Sequence, residues 1–145
     1  MAPHPVILVD SDILIAHLRG LEAARDWLLN ARNEGPLAIS VVSIAELVGG
    51  MRSAERREAW RLLASFRAEP ATEIIARQAG EFRRQYRRSH SGIGLGGYPS
   101  AATSPAGSAS TSTAAAAEVK GYRLGTLNVK HFPMFQGLRP PFAIS

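Results

Sequence analysis

Asp10 and Asp12 stand where an unbroken apolar run, Val6-Ile7-Leu8-Val9, stops, and they are the first residues in the chain whose types could do chemistry. Four β-favouring or large apolar residues without polar alternation predict a strand buried on both faces, as in the middle of a parallel sheet. Asp10 then sits at the carboxyl end of that strand, where open α/β sheets bind ligands because loops and helix starts converge there. Glu46 follows a second apolar run, Leu37-Ala38-Ile39-Ser40, and Asn128 follows a third that extends from Tyr122 to Leu127. Each puts a polar side chain near a strand end. Ser43-Ile44-Ala45-Glu46 has a purely structural reading as well: in a capping box, Ser43 caps a helix and Glu46 reaches back to the free amides. The chain has no cysteine. Disulfides, thiolate zinc sites and cysteine nucleophiles are therefore excluded, and any metal must be held by oxygen or imidazole.

The elements that must position these residues alternate between strand and helix. A helix is predicted directly after Asp12, through Ile13 to Leu18, with Gly20 as its C-cap, and a second from Leu21 to Asn33 with Trp27, Leu28 and Ala31 on one face. Gly35-Pro36 breaks it before the second strand. His17 is read as a packing residue on an apolar helix. Ala54 to Phe66 is amphipathic with Trp60, Leu62, Leu63 and Phe66 inward, and a further helix is expected from Glu73 to about Ser89. His90 to Gly97 is rich in glycine but lacks the lysine of a phosphate-binding P-loop. From Pro99 to Ala117 the chain holds only Ala, Ser, Thr, Gly and Pro. Such a stretch offers little apolar surface to offset its ordering entropy, so an insertion at about 99–113 is expected to be mobile, with a helix recovering over Ala114 to Lys120.

Length and charge narrow the class. A chain of 145 residues, 46% hydrophobic, suits one α/β domain over 1–145 with a real core. No apolar run approaches the ~20 residues needed to span a bilayer, so a cytoplasmic protein without membrane association is expected. The net charge is +5, and arginine supplies 15 of the 17 basic residues. Arg83, Arg84, Arg87 and Arg88 surround Tyr86. They suit phosphate, with an aromatic available for base stacking, or they offset a helix dipole; both readings stay open at this point.

Taken together, Val9-Asp10-Ser11-Asp12-Ile13-Leu14-Ile15, Ser43-Ile44-Ala45-Glu46-Leu47, Gly92-Ile93-Gly94-Leu95 and Thr126-Leu127-Asn128-Val129-Lys130-His131-Phe132-Pro133 resemble the PIN domain, in the VapC type found in bacterial toxin-antitoxin pairs. The order and spacing of these motifs cover nearly the whole chain outside 98–117. The resemblance implies a Rossmann-like three-layer α/β/α fold with a short, mostly parallel sheet. It also implies a magnesium-dependent RNA endonuclease, in which manganese can substitute, forming a homodimer neutralised by a cognate antitoxin. By motif position Asp10, Glu46 and Asn128 are the catalytic and metal-binding residues; Asp12 and Glu118, the only acid near the lost aspartate, are lesser metal candidates, and the charge pattern offers Arg83, Arg84, Arg87 and Arg88 to RNA. Magnesium prefers oxygen ligands and keeps several waters, so a few carboxylates with a substrate phosphate suffice.

The sequence departs from the family pattern at one acid. The stretch that in the family resembles Gly-Asp-Tyr-Leu-Ile-Ala-Ala-Thr is here Gly96-Gly97-Tyr98-Pro99-Ser100-Ala101-Ala102-Thr103, so Gly97 takes the aspartate's place. Two functions are therefore expected to compete: an RNA endonuclease impaired by that loss, and a catalytically inactive PIN protein that binds antitoxin or RNA.

Overall fold

A computed structural model describes residues 5–89 and 105–142, with side chains described at 5–86 and 109–142. Gly97 and the glycine-rich stretch lie outside the described residues. The short strands β1 (Ile7–Val9), β2 (Leu37–Ser40), β3 (Arg67–Glu69) and β4 (Arg123–Gly125) form a parallel sheet in the order β3-β2-β1-β4. Leu8 pairs with Ala38 on one side and Leu124 on the other, which makes β1 an interior strand and accounts for its unbroken apolar sequence. The helices are α1 (Ser11–Leu18), α2 (Glu22–Glu34), α3 (Val41–Gly50), α4 (Arg56–Leu63), α5 (Glu73–Ser89) and α6 (Pro105–Lys120).

Alternation along β1 separates two cores. Ile7 and Val9 pack with Ile13, Leu14, Leu28, Leu47 and Leu63, from α1 to α4. Leu8 points the other way, to Ile75 and Phe82 of α5, Ala114 to Ala117 of α6, and Phe132. The result is three layers, helices over both faces of the sheet, as expected.

One strand was not expected, and three local expectations are corrected. The strand β3 carries no apolar run: Arg67 and Ala68 are exposed, as an edge strand allows, and only Glu69 is buried. Trp60 is half exposed, not inward, because α4 turns Ala59 and Leu63, one helical turn apart, to the core and leaves Trp60 beside that stripe. The helix bearing Glu46 begins at Val41 with Ser40 as its N-cap, its hydroxyl accepting from the Val42 amide at 3.1 Å. Ser43 is thus inside the helix, fully buried, and there is no capping box; Glu46 lies on the second turn.

The third correction is α6, which starts at Pro105 rather than after Thr113. Ala109, Ser110, Ser112, Thr113 and Ala114 to Ala117 are buried in it. Small side chains lose little or no rotamer freedom on burial, and alanine is the best helix former, so this stretch orders at low entropic cost. Their size also lets α6 sit close to its neighbours. The Ser43 and Thr113 hydroxyls meet at 3.1 Å, which satisfies both buried groups and pins α6 to α3.

Candidate active site

Asp10 leaves β1 in an extended conformation and becomes the N-cap of α1, where its Oδ1 accepts from the Ser11 amide at 2.9 Å. A helix start favours negative charge, so the strand-to-helix turn suits a carboxylate. The Asp10 amide donates to the Gly125 carbonyl at 2.9 Å, which brings the end of β4 alongside. The next residue, Thr126, is fully buried, and its hydroxyl lies 2.9 Å from Asp10 Oδ2 and 3.2 Å from Asp12 Oδ2. A hydroxyl has one proton, so it can donate to only one of the two carboxylates at a time. Asp12 Oδ2 also accepts from the amides of Leu127 and Asn128 at 3.0 Å each. Glu46 joins from α3, its Oε1 accepting from the Ser11 hydroxyl at 3.1 Å.

Close approach at Gly125 holds this geometry. A Cβ there would lie 2.6 Å from Cη2 of Trp27, on α2. Gly125→Ala must therefore push the indole or the strand aside, and overpacking of this kind costs roughly 1–3 kcal/mol. The expected result is a lower denaturation midpoint together with weaker metal binding, because β4 carries Thr126 and Leu127 to the acids. An unchanged midpoint would show that the indole simply moves away.

The electrostatics follow from burial. Desolvation pushes the Asp10 carboxyl up to about 7, with the Asp12 charge adding to the rise against the Thr126 and Ser11 hydrogen bonds. Desolvation raises Asp12 too, opposed by its bonds to Leu127, Thr126 and Asn128. Two adjacent acids that resist ionising together are short of positive charge. Asp12 Oδ1 is moreover buried with no hydrogen-bond partner. An unpaired buried carboxylate oxygen beside a second carboxylate, with a third acid tethered nearby, fits a hard divalent cation that takes oxygen ligands. Among the described residues no three acidic or histidine side chains converge closely enough to hold an ion alone, so water or a substrate phosphate must complete the shell.

The expected residues are thus distributed unevenly. Asp10 and Asp12 come together, and Asp12 is more central than its lesser standing in the sequence. Glu46 is linked to them through Ser11. Asn128 is exposed, and among the described residues its hydrogen bonds are made by its backbone, not its side chain: the amide donates toward Asp12 and the Thr126 hydroxyl, and the carbonyl accepts from the His131 amide. Glu118 is exposed in the last turn of α6, and no hydrogen bond among the described residues links it to the acids. Thr126 was missed. Its only sequence signal is a hydroxyl at a strand end, two residues before Asn128. His17 is half-buried at the end of α1, its Nδ1 buried without a partner. Arg83 is half-buried on α5, and Arg84 is exposed and within 3.8 Å of Glu81. Arg87 and Arg88 lie on the same helix, with side chains outside the described set.

The PIN domain profile matches residues 7–96. The chain is 65% identical to Ribonuclease VapC10 of Mycobacterium tuberculosis over 139 residues, covering 96% of this chain and 95% of that protein. It is 37% identical to Ribonuclease VapC19 of the same organism over 136 residues, covering 93% of this chain and 98% of that protein. Its fold is similar to a chain of a toxin-antitoxin complex from Klebsiella pneumoniae, with a TM-score of 0.70 at 22% identity over 95% of this chain and 99% of that one. VapBC2 from Rickettsia felis, solved with a DNA fragment from its promoter, gives a TM-score of 0.68 at 16% identity over 92% and 95%. At those identities the two structures speak to the fold, and the sequence relatives speak to the family. This chain belongs to the PIN-domain family, among its VapC-type ribonucleases.

Proposed function

We propose that this chain is a magnesium-dependent RNA endonuclease that acts as the toxin of a toxin-antitoxin pair, with manganese able to replace magnesium. The observation that carries this reading is the pair of buried Asp10 and half-buried Asp12, sharing one Thr126 hydroxyl and leaving the buried Asp12 Oδ1 unpartnered at the carboxyl end of a parallel sheet. The names of its relatives support the substrate and the setting. A cytoplasmic homodimer held in check by a cognate antitoxin completes the reading.

The chain's own residues divide the work. Asp10, Asp12 and Glu46 would hold the cation, with Asn128 at the edge of the same turn. A bound cation would polarise the scissile phosphate and make a water acidic enough to attack it. Thr126 and the Leu127 and Asn128 amides fix the Asp12 carboxylate, so it need not reorganise as charge develops. Asp10, whose carboxyl burial holds up at about 7 in the metal-free chain, would give up its proton as the cation binds. Arg83, Arg84, Arg87 and Arg88 would track the RNA backbone through phosphates.

Purified chain incubated with RNA should produce discrete fragments with magnesium and none with chelator. RNA binding should weaken steeply with salt, and replacing Arg83, Arg84, Arg87 and Arg88 by Gln should flatten that slope, since each lost phosphate contact removes about one released counterion. An unmoved slope would show that the cluster only offsets the dipole of α5. Salt-dependent binding without cleavage would instead favour the inactive binding module that Gly97 suggests.

A further inference from the structure

We propose that Ser11 is a positioning residue that sets the separation of Asp10 and Glu46 and so tunes the affinity of the metal site. This rests on the reading of those acids as metal ligands. Ser11 is the first residue of α1 and is 4% exposed. Its backbone amide donates to Asp10 Oδ1 at 2.9 Å, and its hydroxyl donates to Glu46 Oε1 at 3.1 Å. One buried residue therefore grips two acids that are borne by different elements and lie 36 positions apart. Glu46 has no other hydrogen bond or ion pair among the described residues, so its orientation depends on this one contact.

The physical consequence is specific. A glutamate has three rotatable bonds, and without a fixed partner their freedom must be lost when the cation binds. A hydroxyl donating to a carboxylate is a charge-assisted bond, strong enough to hold one rotamer in a half-buried site. It occupies one lone pair of Oε1 and leaves Oε2 for a cation. Alanine at position 11 would keep the amide bond to Asp10 and remove only the grip on Glu46. Threonine would keep both.

The test is a double-mutant cycle on the full chain, read by calorimetric titration with manganese alone. Ser11→Ala should weaken manganese about tenfold, as loss of a partner that orients a metal ligand commonly does, and Ser11→Thr should restore most of it. Glu46→Gln should weaken binding as much or more. Ser11→Ala combined with Glu46→Gln should be no weaker than Glu46→Gln alone, because the hydroxyl acts only through that carboxylate. In RNA cleavage Ser11→Ala should lower kcat and leave KM in place. Parent-like manganese affinity in Ser11→Ala beside a weakened Glu46→Gln, or fully additive losses, would overturn the positioning role while leaving the metal site standing. Unchanged affinity in Glu46→Gln would overturn both.

Discussion

Asp10→Asn is expected to lower the rate of RNA cleavage roughly a hundredfold or more, because removing a preorganised charge at the reacting centre commonly costs several kcal/mol of barrier. The substitution changes charge with little change in shape. An amide oxygen can still accept from the Ser11 amide where Oδ1 does now, and the amide nitrogen can donate to the Thr126 hydroxyl, which turns to accept. The fold should therefore survive. At neutral pH it should become firmer, since a buried charge held beside Asp12 has been removed. Single-turnover cleavage with saturating magnesium, paired with a denaturation curve, separates the two effects. A slow variant that is also unfolded would mean that Asp10 is structural; a stable variant with parent-like rate would remove it from the chemistry.

The metal-free chain is expected to lose stability as pH rises from about 4 to about 7. Asp10 has a folded value raised from 3.8 to about 7, so between those values the folded state binds more protons than the unfolded one. Stability tied to this group is fully present below about 4, is lost through the window, and is flat again above about 7. Asp12 is raised in the same direction and adds to the slope. A shift of about three units corresponds to on the order of 4 kcal/mol at most for a group as buried as Asp10, where solvent screens little. Other carboxylates titrate as well, so the informative quantity is the difference between parent and Asp10→Asn in urea melts with chelator present. That difference should widen as pH rises from 4.5 to 7.5. Parallel curves for the two proteins would contradict the raised carboxyl.

The strand-to-helix turn at Asp10 was legible because an apolar run that stops on a carboxylate is a local pattern; Glu46 does not share that pattern, since it stands on the second turn of α3, beyond the end of β2. The layers were legible for the same reason: β1 and β2 announce themselves as buried. Thr126 was not, because its role depends on a contact with Asp10 across 116 positions, created only when β4 pairs with β1. At Asn128 the sequence shows a side chain, whereas the bonds that this turn makes to Asp12 come from the Leu127 and Asn128 backbone amides, which a sequence does not display. Apolar side-chain area says little about 105–113, because a helix of small residues can pack closely, as α6 does from Ala109 onward; 99–104 lie outside the described residues. Trp60 misled by its type. Its exposure on α4 follows from the stripe that the helix buries, Ala59 and Leu63, in which a small residue takes the inward place that the size of the indole suggested for Trp60.

Manganese titration of the parent chain and Asp10→Asn at pH 6.5, repeated in two buffers of different ionisation enthalpy, tests the metal site most directly. The parent should bind one ion per chain and release a fraction of a proton as it binds, because a carboxyl raised to about 7 must ionise to ligate. Asp10→Asn should bind far more weakly and release no proton from this group. Equal affinity and equal proton release in the two proteins would contradict the assignment of Asp10 and Asp12 as the metal-binding centre of this ribonuclease.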